Sequence, residues 1–128
     1  MTINNSAKDI KILVVDDDAI NADVIEMFLS REYTVDVARS APEALVFSKE
    51  NIYNLVLMDI NLGKGMTGID VLKSFRTLDS FKNIPILAVT AFAMRGDRES
   101  FLAEGFDDYL SKPFSKESLL NLVRSKLI

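Results

Sequence analysis

Cysteine and histidine are both absent from these 128 residues. Without cysteine there are no disulfides, no thiolate nucleophile and no Cys-ligated zinc. Without histidine there is no Ser-His-Asp chemistry, and the commonest general base is missing. Positive charge is also short: 15 Lys and Arg stand against 19 Asp and Glu, for a net charge of −4. That balance speaks against a generic nucleic-acid or anionic-membrane surface, so neither is an expected partner. No apolar run approaches the length of a membrane span. The polar start, Met1 to Asp9, lacks the apolar stretch of a signal peptide, so the expected location is cytoplasmic. There is no internal repeat, low-complexity tract or Pro/Gly/Ser-rich linker, and the length suits one domain. What remains for chemistry is carboxylates, hydroxyls, lysines and backbone, a set suited to hard cations and phosphate.

Against those absences, one pattern recurs five times: a short apolar run followed by a helical periodicity. The runs are Ile12–Val15, Val35–Ala38 (split by Asp36), Leu55–Met58, Ile86–Val89 and the brief Tyr109–Leu110. Three are near-continuous Val, Ile and Leu, as in parallel strands covered on both faces. Asp36 and the shortness of Tyr109–Leu110 make the second and fifth strands the expected sheet edges. The first helix shows Ile20, Val24, Met27 and Phe28 at a 3.6-residue period. The second opens on a capping box, Ser40 with Glu43, and has Pro42 in its first turn, with Ala41, Ala44, Leu45 and Ser48 inward. The third shows Val71, Leu72, Phe75 and Leu78. The fourth, roughly Met94 to Glu104, is the most weakly apolar, with Phe101 and Leu102 its main pair. The fifth follows Ser115 as N-cap and shows Leu119, Leu120, Val123 and Leu127. Five such units imply an α/β domain with a parallel sheet and right-handed crossovers. In such sheets ligands bind beyond the carboxyl ends of the strands.

The residues at those ends are chemically complementary. The first strand runs into Asp16, Asp17 and Asp18, the third into Asp59, the fourth into Thr90, and the fifth, one serine later, into Lys112 and Pro113. Asp18 reads best as a helix N-cap. Clustered carboxylates repel one another and raise each other's pKa unless a cation sits between them. Mg²⁺ meets that need through one or two carboxylates and several waters, leaving positions for phosphate oxygens. A metal, a lysine and a hydroxyl around a carboxylate make a phosphoryl-accepting site, with Asp59 as nucleophile. Taken singly, each residue has an ordinary structural explanation; four strand ends with matching chemistry do not.

The motifs Val14-Val15-Asp16-Asp17, Leu57-Met58-Asp59, Val89-Thr90-Ala91 and Lys112-Pro113-Phe114 resemble those of response-regulator receiver domains. Their order and spacing match over about residues 10 to 127. The resemblance implies a flavodoxin-like (βα)5 fold with strand order 2-1-3-4-5, a family arrangement that the strand-end rule used above itself cites. It implies Asp59 as phosphoacceptor. Mg²⁺ would be held by Asp17, Asp16 behind it, Asp59 and the Asn61 main-chain carbonyl. Thr90 and Lys112 would contact the phosphoryl group, Tyr109 would be an aromatic switch, and the Lys112-Pro113 bond would be cis. Residues 1–9 are expected to be a flexible N-terminal segment and 10–128 the receiver domain.

Two features depart from the family pattern. The segment from Ile60 to Gly68 has no proline, carries three glycines and runs one residue longer than usual; its glycines predict mobility. Phe92 places a bulky apolar group near the expected mouth of the site.

With no histidine in the chain, a phosphohistidine donor must come from another protein, a sensor histidine kinase or a histidine phosphotransfer protein. The domain would take the phosphoryl group, hold it as an acyl phosphate and lose it to water, without being an enzyme in any further sense. Thr90 and Tyr109 would relay the change to the face of the fourth helix, fifth strand and fifth helix, where a downstream protein binds. A stand-alone regulator is the expected form, and a receiver piece of a hybrid histidine kinase is the alternative. An aspartate-nucleophile phosphatase is less well matched, because Asp59-Ile60-Asn61 lacks a second acid two residues on. A receiver degenerated into a binding scaffold would lack one of the key residues, and all are present.

Overall fold

The computed structural model describes residues 9–63, 65–91 and 97–127. Five strands alternate with five helices: β1 (Lys11–Val15), α1 (Ala19–Leu29), β2 (Thr34–Ala38), α2 (Ala41–Glu50), β3 (Leu55–Asp59), α3 (Gly68–Phe75), β4 (Ile86–Thr90), α4 (Asp97–Glu104), β5 (Asp108–Ser111) and α5 (Lys116–Lys126). All four strand pairings are parallel, and the order is β2-β1-β3-β4-β5. The flavodoxin-like fold and the two edge strands are those expected from the sequence.

Because successive strand residues point to opposite faces, the apolar runs feed two cores. Leu13, Val15, Val56, Met58, Ile86 and Ala88 pack on the side of α2 and α3, with Phe75 and Phe81. Ile12, Val14, Leu55, Leu57, Leu87 and Val89 pack on the other, against Ile25 and Leu29 of α1 and Leu119 and Val123 of α5. β3 and β4 are buried along their whole length, so the polar residues that end them are held by a rigid, double-sided core. Asp36 on edge strand β2 is accommodated by the Tyr53 hydroxyl, which donates to it at 2.7 Å, and by Lys11 Nζ at 3.3 Å.

The inward face of α1 differs from the expected stripe. Ala22, Ile25 and Leu29 are buried, whereas Ile20 is 75% and Met27 61% exposed. Eight of the eleven residues of α1 are apolar and form two overlapping stripes, and the entry to the helix chooses between them. Asp18 is its N-cap, accepting from Ile20 N and Asn21 N at 2.9 and 3.2 Å, and its own N–H donates to Asp16 Oδ1 at 2.9 Å. That anchor turns small Ala22 toward the sheet and leaves Ile20 and Met27 in solvent.

Smaller differences have similar local causes. Ser40 caps α2 by accepting from Glu43 N, but the Glu43 carboxylate takes its return hydrogen bond from Arg39 N rather than from Ser40 N. Leu78 lies beyond the end of α3, half-buried against the core. In α4 Phe101 packs against Phe106 and Tyr109, while Leu102 is exposed; no side chain of residues 98–104 is fully buried. The N-terminal segment to residue 8, Lys64 of the glycine loop, Phe92 and the expected start of the fourth helix at Met94 lie outside the described residues. Arg76, just past α3, ties together the entries to β4 and β5. Its guanidinium donates to Phe81 O and Ile84 O ahead of β4, each at 2.8 Å, and pairs with Asp107 ahead of β5 at 2.8 Å.

Candidate functional site

At the carboxyl ends of β1, β3, β4 and β5 the chain brings Asp16, Asp17, Asp59, Thr90 and Lys112 to one rim. Three of them are charged or polar groups shut away from water: Asp16 is 1%, Asp59 6% and Thr90 3% exposed. Burial of this kind needs partners. Asp16 Oδ1 accepts from Asp18 N, and its Oδ2 lies 3.3 Å from Lys112 Nζ. Asp59 Oδ1 accepts from Asn61 N at 3.2 Å, and its Oδ2 lies 3.6 Å from the same ammonium. Lys112 is itself positioned by its main-chain N–H, which donates to Thr90 O at 2.8 Å. The Lys112-Pro113 bond is cis. Asp17, by contrast, is exposed and faces an open cleft of about 200 Å³, lined also by Asp59, Asn61, Thr90 and Lys112.

The charges do not balance. Ligand oxygens of Asp16, Asp17 and Asp59 all lie within 4.8 Å of one another, and among the described residues Lys112 is the lysine paired with them. Burial pushes the Asp59 carboxyl up, and the neighbouring Asp16 charge pushes it further, to about 6; Lys112 and the Asn61 N–H only partly oppose this. Such a cluster fits a hard divalent cation. Every donor is oxygen, the deficit is of positive charge, and the exposed side at Asp17 leaves room for water and for a second ligand.

The structure thus gathers Asp16, Asp17, Asp59, Asn61, Thr90 and Lys112. Tyr109 stands apart. It is half-buried on β5, with its ring 5.8 Å from that of Phe101 in α4, and does not line the cleft. Two contributors escaped the sequence reading. Asn21 lines the cleft beside Ala91 of the Val89-Thr90-Ala91 motif, and nothing in its spacing marks it. Gly68 opens α3 so close to β3 that a Cβ there would lie 2.2 Å from the Asp59 carbonyl oxygen. In the segment between, Gly63 and Gly65 take positive φ angles of 79° and 92°.

Comparison with known proteins places this arrangement. A family model described as the response regulator receiver domain matches residues 12–124. The polar-differentiation response regulator DivK of Brucella anthropi is 33% identical over 117 residues, covering 91% of this chain and 94% of that protein. The hybrid signal transduction histidine kinase I of Dictyostelium discoideum is 33% identical over 125 residues; there the chain spans 7% of the relative's length. Among solved structures, the receiver domain of a Pseudomonas aeruginosa sensor histidine kinase, with a magnesium ion coordinated in its active-site cleft, is similar with a TM-score of 0.82 and 33% identity. That match covers 91% of this chain and 96% of that one.

Proposed function

The chain belongs to the response regulator receiver domain family of two-component signalling, and on that premise we propose that it accepts a phosphoryl group on Asp59 from a histidine of a sensor kinase or phosphotransfer protein. The observation that carries the reading is a buried carboxylate at the floor of an open cleft, 3.6 Å from a lysine and flanked by two further acids. Mg²⁺ would be held by Asp16, Asp17, Asp59 and the Asn61 main-chain carbonyl, and when bound supplies Lewis-acid charge at the phosphoryl oxygens.

The residues of the chain divide the rest of the work. Asp59 must be ionised to attack. A carboxyl held near pH 6 is mostly ionised at neutral pH, and a neighbouring cation completes its ionisation. An Asp59 oxygen forms the new P–O bond as the donor's P–N bond breaks. Lys112 Nζ, already within reach of Asp59, neutralises charge on the transferring oxygens, and the Thr90 hydroxyl offers a neutral donor. The test is intact-mass detection of one phosphoryl group per chain after incubation with acetyl phosphate and Mg²⁺. No gain of mass on Asp59 overturns the reading. Similarity to a segment of a much longer hybrid kinase supports the same chemistry as one module of a larger protein.

Asp17 separates metal binding from folding. Its side chain is exposed and no strand packing depends on it. Asp17→Ala should therefore weaken Mg²⁺ more than about tenfold, the cost of one good ligand. The metal-free protein should unfold no more easily than the parent, since a repelling charge is gone. Calorimetric titration with Mg²⁺ and urea unfolding check the two halves; unchanged Mg²⁺ affinity would put the metal elsewhere.

Transmission is a separate step. We assign it to Thr90 and Tyr109, because Thr90 lines the cleft while Tyr109 packs on Phe101 of the least buried helix. The same face is held by Asp108, which lies 3.5 Å from Arg98 in α4 and 3.2 Å from Lys126 in α5. A phosphoryl group that draws Thr90 inward frees space for Tyr109 and biases that face between two packings, altering the surface a downstream protein reads. Thr90→Ala should still be phosphorylated on Asp59 but should lose most of the change in amide exchange across residues 97–112 that beryllofluoride produces in the parent. An undiminished change in Thr90→Ala would mean the signal takes another route.

A further inference from the structure

The segment after Asp59 holds two glycines at positive φ, and their surroundings differ. A Cβ at Gly65 would meet nothing within 4 Å, whereas one at Gly63 would stand 3.1 Å from Asp17 Oδ2. That is closer than carbon and oxygen normally pack, so one side would have to give. The loop is poorly placed to do so. Leu62, next to Gly63, is buried in the core with Met58 and Val71. Asn61 N donates to Asp59 Oδ1 at 3.2 Å, Asn61 Oδ1 accepts from Gly63 N at 3.4 Å, and Gly68 N donates to Ile60 O at 2.9 Å. Asp17 is the freer partner. Its neighbours are tied down, Asp16 N to Ala38 O at 3.0 Å and Asp18 N to Asp16 Oδ1 at 2.9 Å. Its own side chain is exposed, and among the described residues no hydrogen bond or ion pair holds it.

We infer that Gly63 is a positioning residue for Asp17: by lacking a side chain it lets the loop that carries the Asn61 carbonyl close on the outer carboxylate without displacing it, and so suits the cation site to Mg²⁺ over a larger ion such as Ca²⁺. The inference rests on the reading of Asp17 as a metal ligand and goes beyond it to the residue that orients it. A carboxylate is rigid and planar, so a push on Oδ2 moves or turns Oδ1 with it, whichever oxygen ligates. Mg²⁺ requires near-octahedral oxygens at about 2.0–2.1 Å, while Ca²⁺ takes about six to eight at roughly 2.3–2.6 Å in flexible arrangements. A ligand forced off its place by a fraction of an ångström is a large fault for the first ion and a small one for the second. Folding is nearly indifferent to the same contact, because an exposed side chain swings aside freely. A Cβ at Gly63 costs the fold only its positive φ of 79°, much as one at Gly65 would at 92°. The metal alone distinguishes the two glycines.

Separate titrations with Mg²⁺ and Ca²⁺, followed by backbone NMR shifts so that weak binding is also read, test it. Gly63→Ala should weaken Mg²⁺ about fivefold, less than the loss of a whole ligand because Asp17 is displaced rather than removed, and Ca²⁺ less than about twofold. Gly65→Ala should keep both affinities within about twofold of the parent's and should match Gly63→Ala in urea unfolding, since the two share the positive-φ cost. In an Asp17→Ala background, Gly63→Ala should change Mg²⁺ affinity less than about twofold, because the contact is already gone. Mg²⁺ binding by Gly63→Ala as tight as the parent's, an equal fall for the two ions, or an undiminished fall without Asp17 overturns the inference while leaving the metal site in place. A parent chain that binds no Mg²⁺ overturns the metal reading, and this inference with it.

Discussion

Asp59→Asn should take up no phosphoryl group from acetyl phosphate and Mg²⁺, whereas the parent chain should gain one. The amide that replaces the carboxylate is neither a nucleophile for phosphorus nor a full-charge metal ligand, so labelling should fall below detection rather than by a modest factor. The same substitution has a second, opposite consequence for stability. In the metal-free protein Asp59 is held near pH 6, above the ordinary carboxyl value, by burial first and by Asp16 second. A raised carboxyl binds its proton more tightly in the folded chain. Its stabilising share is therefore complete below about pH 4 and is lost as pH rises through about 6. That loss amounts to about 2–3 kcal/mol at pH 7.5, from roughly 1.4 kcal/mol per pKa unit. Asn carries no such loss, so the variant should be the more stable protein at pH 7.5 without metal and should approach the parent at pH 4. Urea unfolding at the two pH values measures it. A variant that is labelled as fast as the parent removes Asp59 from the mechanism; one whose advantage is the same at both pH values removes the buried charge from the account.

Much of this site was readable before the fold was known, and the reason lies in β1, β3 and β4. Their Val, Ile and Leu runs have no other plausible burial than the middle of a parallel sheet, and Asp16, Asp59 and Thr90 come directly at their ends. The position of a strand end is thus legible from where an apolar run stops. The rotation of α1 was not legible, because Ile20, Val24, Met27 and Phe28 make as good a stripe as Ala22, Ile25 and Leu29. The choice falls to the turn at Asp16 and Asp18, whose hydrogen bonds are tertiary facts. Asn21 was missed for a related reason: a single amide carries no periodicity, and its place on the cleft wall depends on that same rotation. The reading of Asp17 as the outer and Asp16 as the inner acid matches the exposure of one and the burial of the other.

Gly68 carries the other large effect, and here two physical terms point in opposite directions. Alanine is the better helix former by about 1 kcal/mol, and Gly68 is the first residue of α3 with an ordinary negative-side backbone. Propensity alone makes Gly68→Ala stabilising. The space argues otherwise. A Cβ at this position would stand 2.2 Å from Asp59 O, 2.9 Å from Ile60 Cα and 3.0 Å from Asp59 C, and all three are main-chain atoms. A flexible side chain would swing aside at little cost, but a buried strand end cannot. The Gly68 N–H also donates to Ile60 O at 2.9 Å, so α3 cannot back away without giving up that hydrogen bond. Overpacking of a core commonly costs about 1–3 kcal/mol, and a lost buried hydrogen bond adds about 1 kcal/mol or more. The sum exceeds the propensity gain, and Gly68→Ala should lose about 1–3 kcal/mol net in urea unfolding. Because the colliding oxygen belongs to Asp59 itself, the relief displaces the acceptor, and labelling by acetyl phosphate should slow in whatever fraction remains folded. Gly65→Ala is the control. Nothing lies within 4 Å of a Cβ there, and only its positive φ of 92° resists the change, a cost of about 1–2 kcal/mol with no reason to touch Asp59. If Gly68→Ala is as stable as the parent and labels as fast, α3 does not press on the end of β3, and the glycine has no part in placing Asp59.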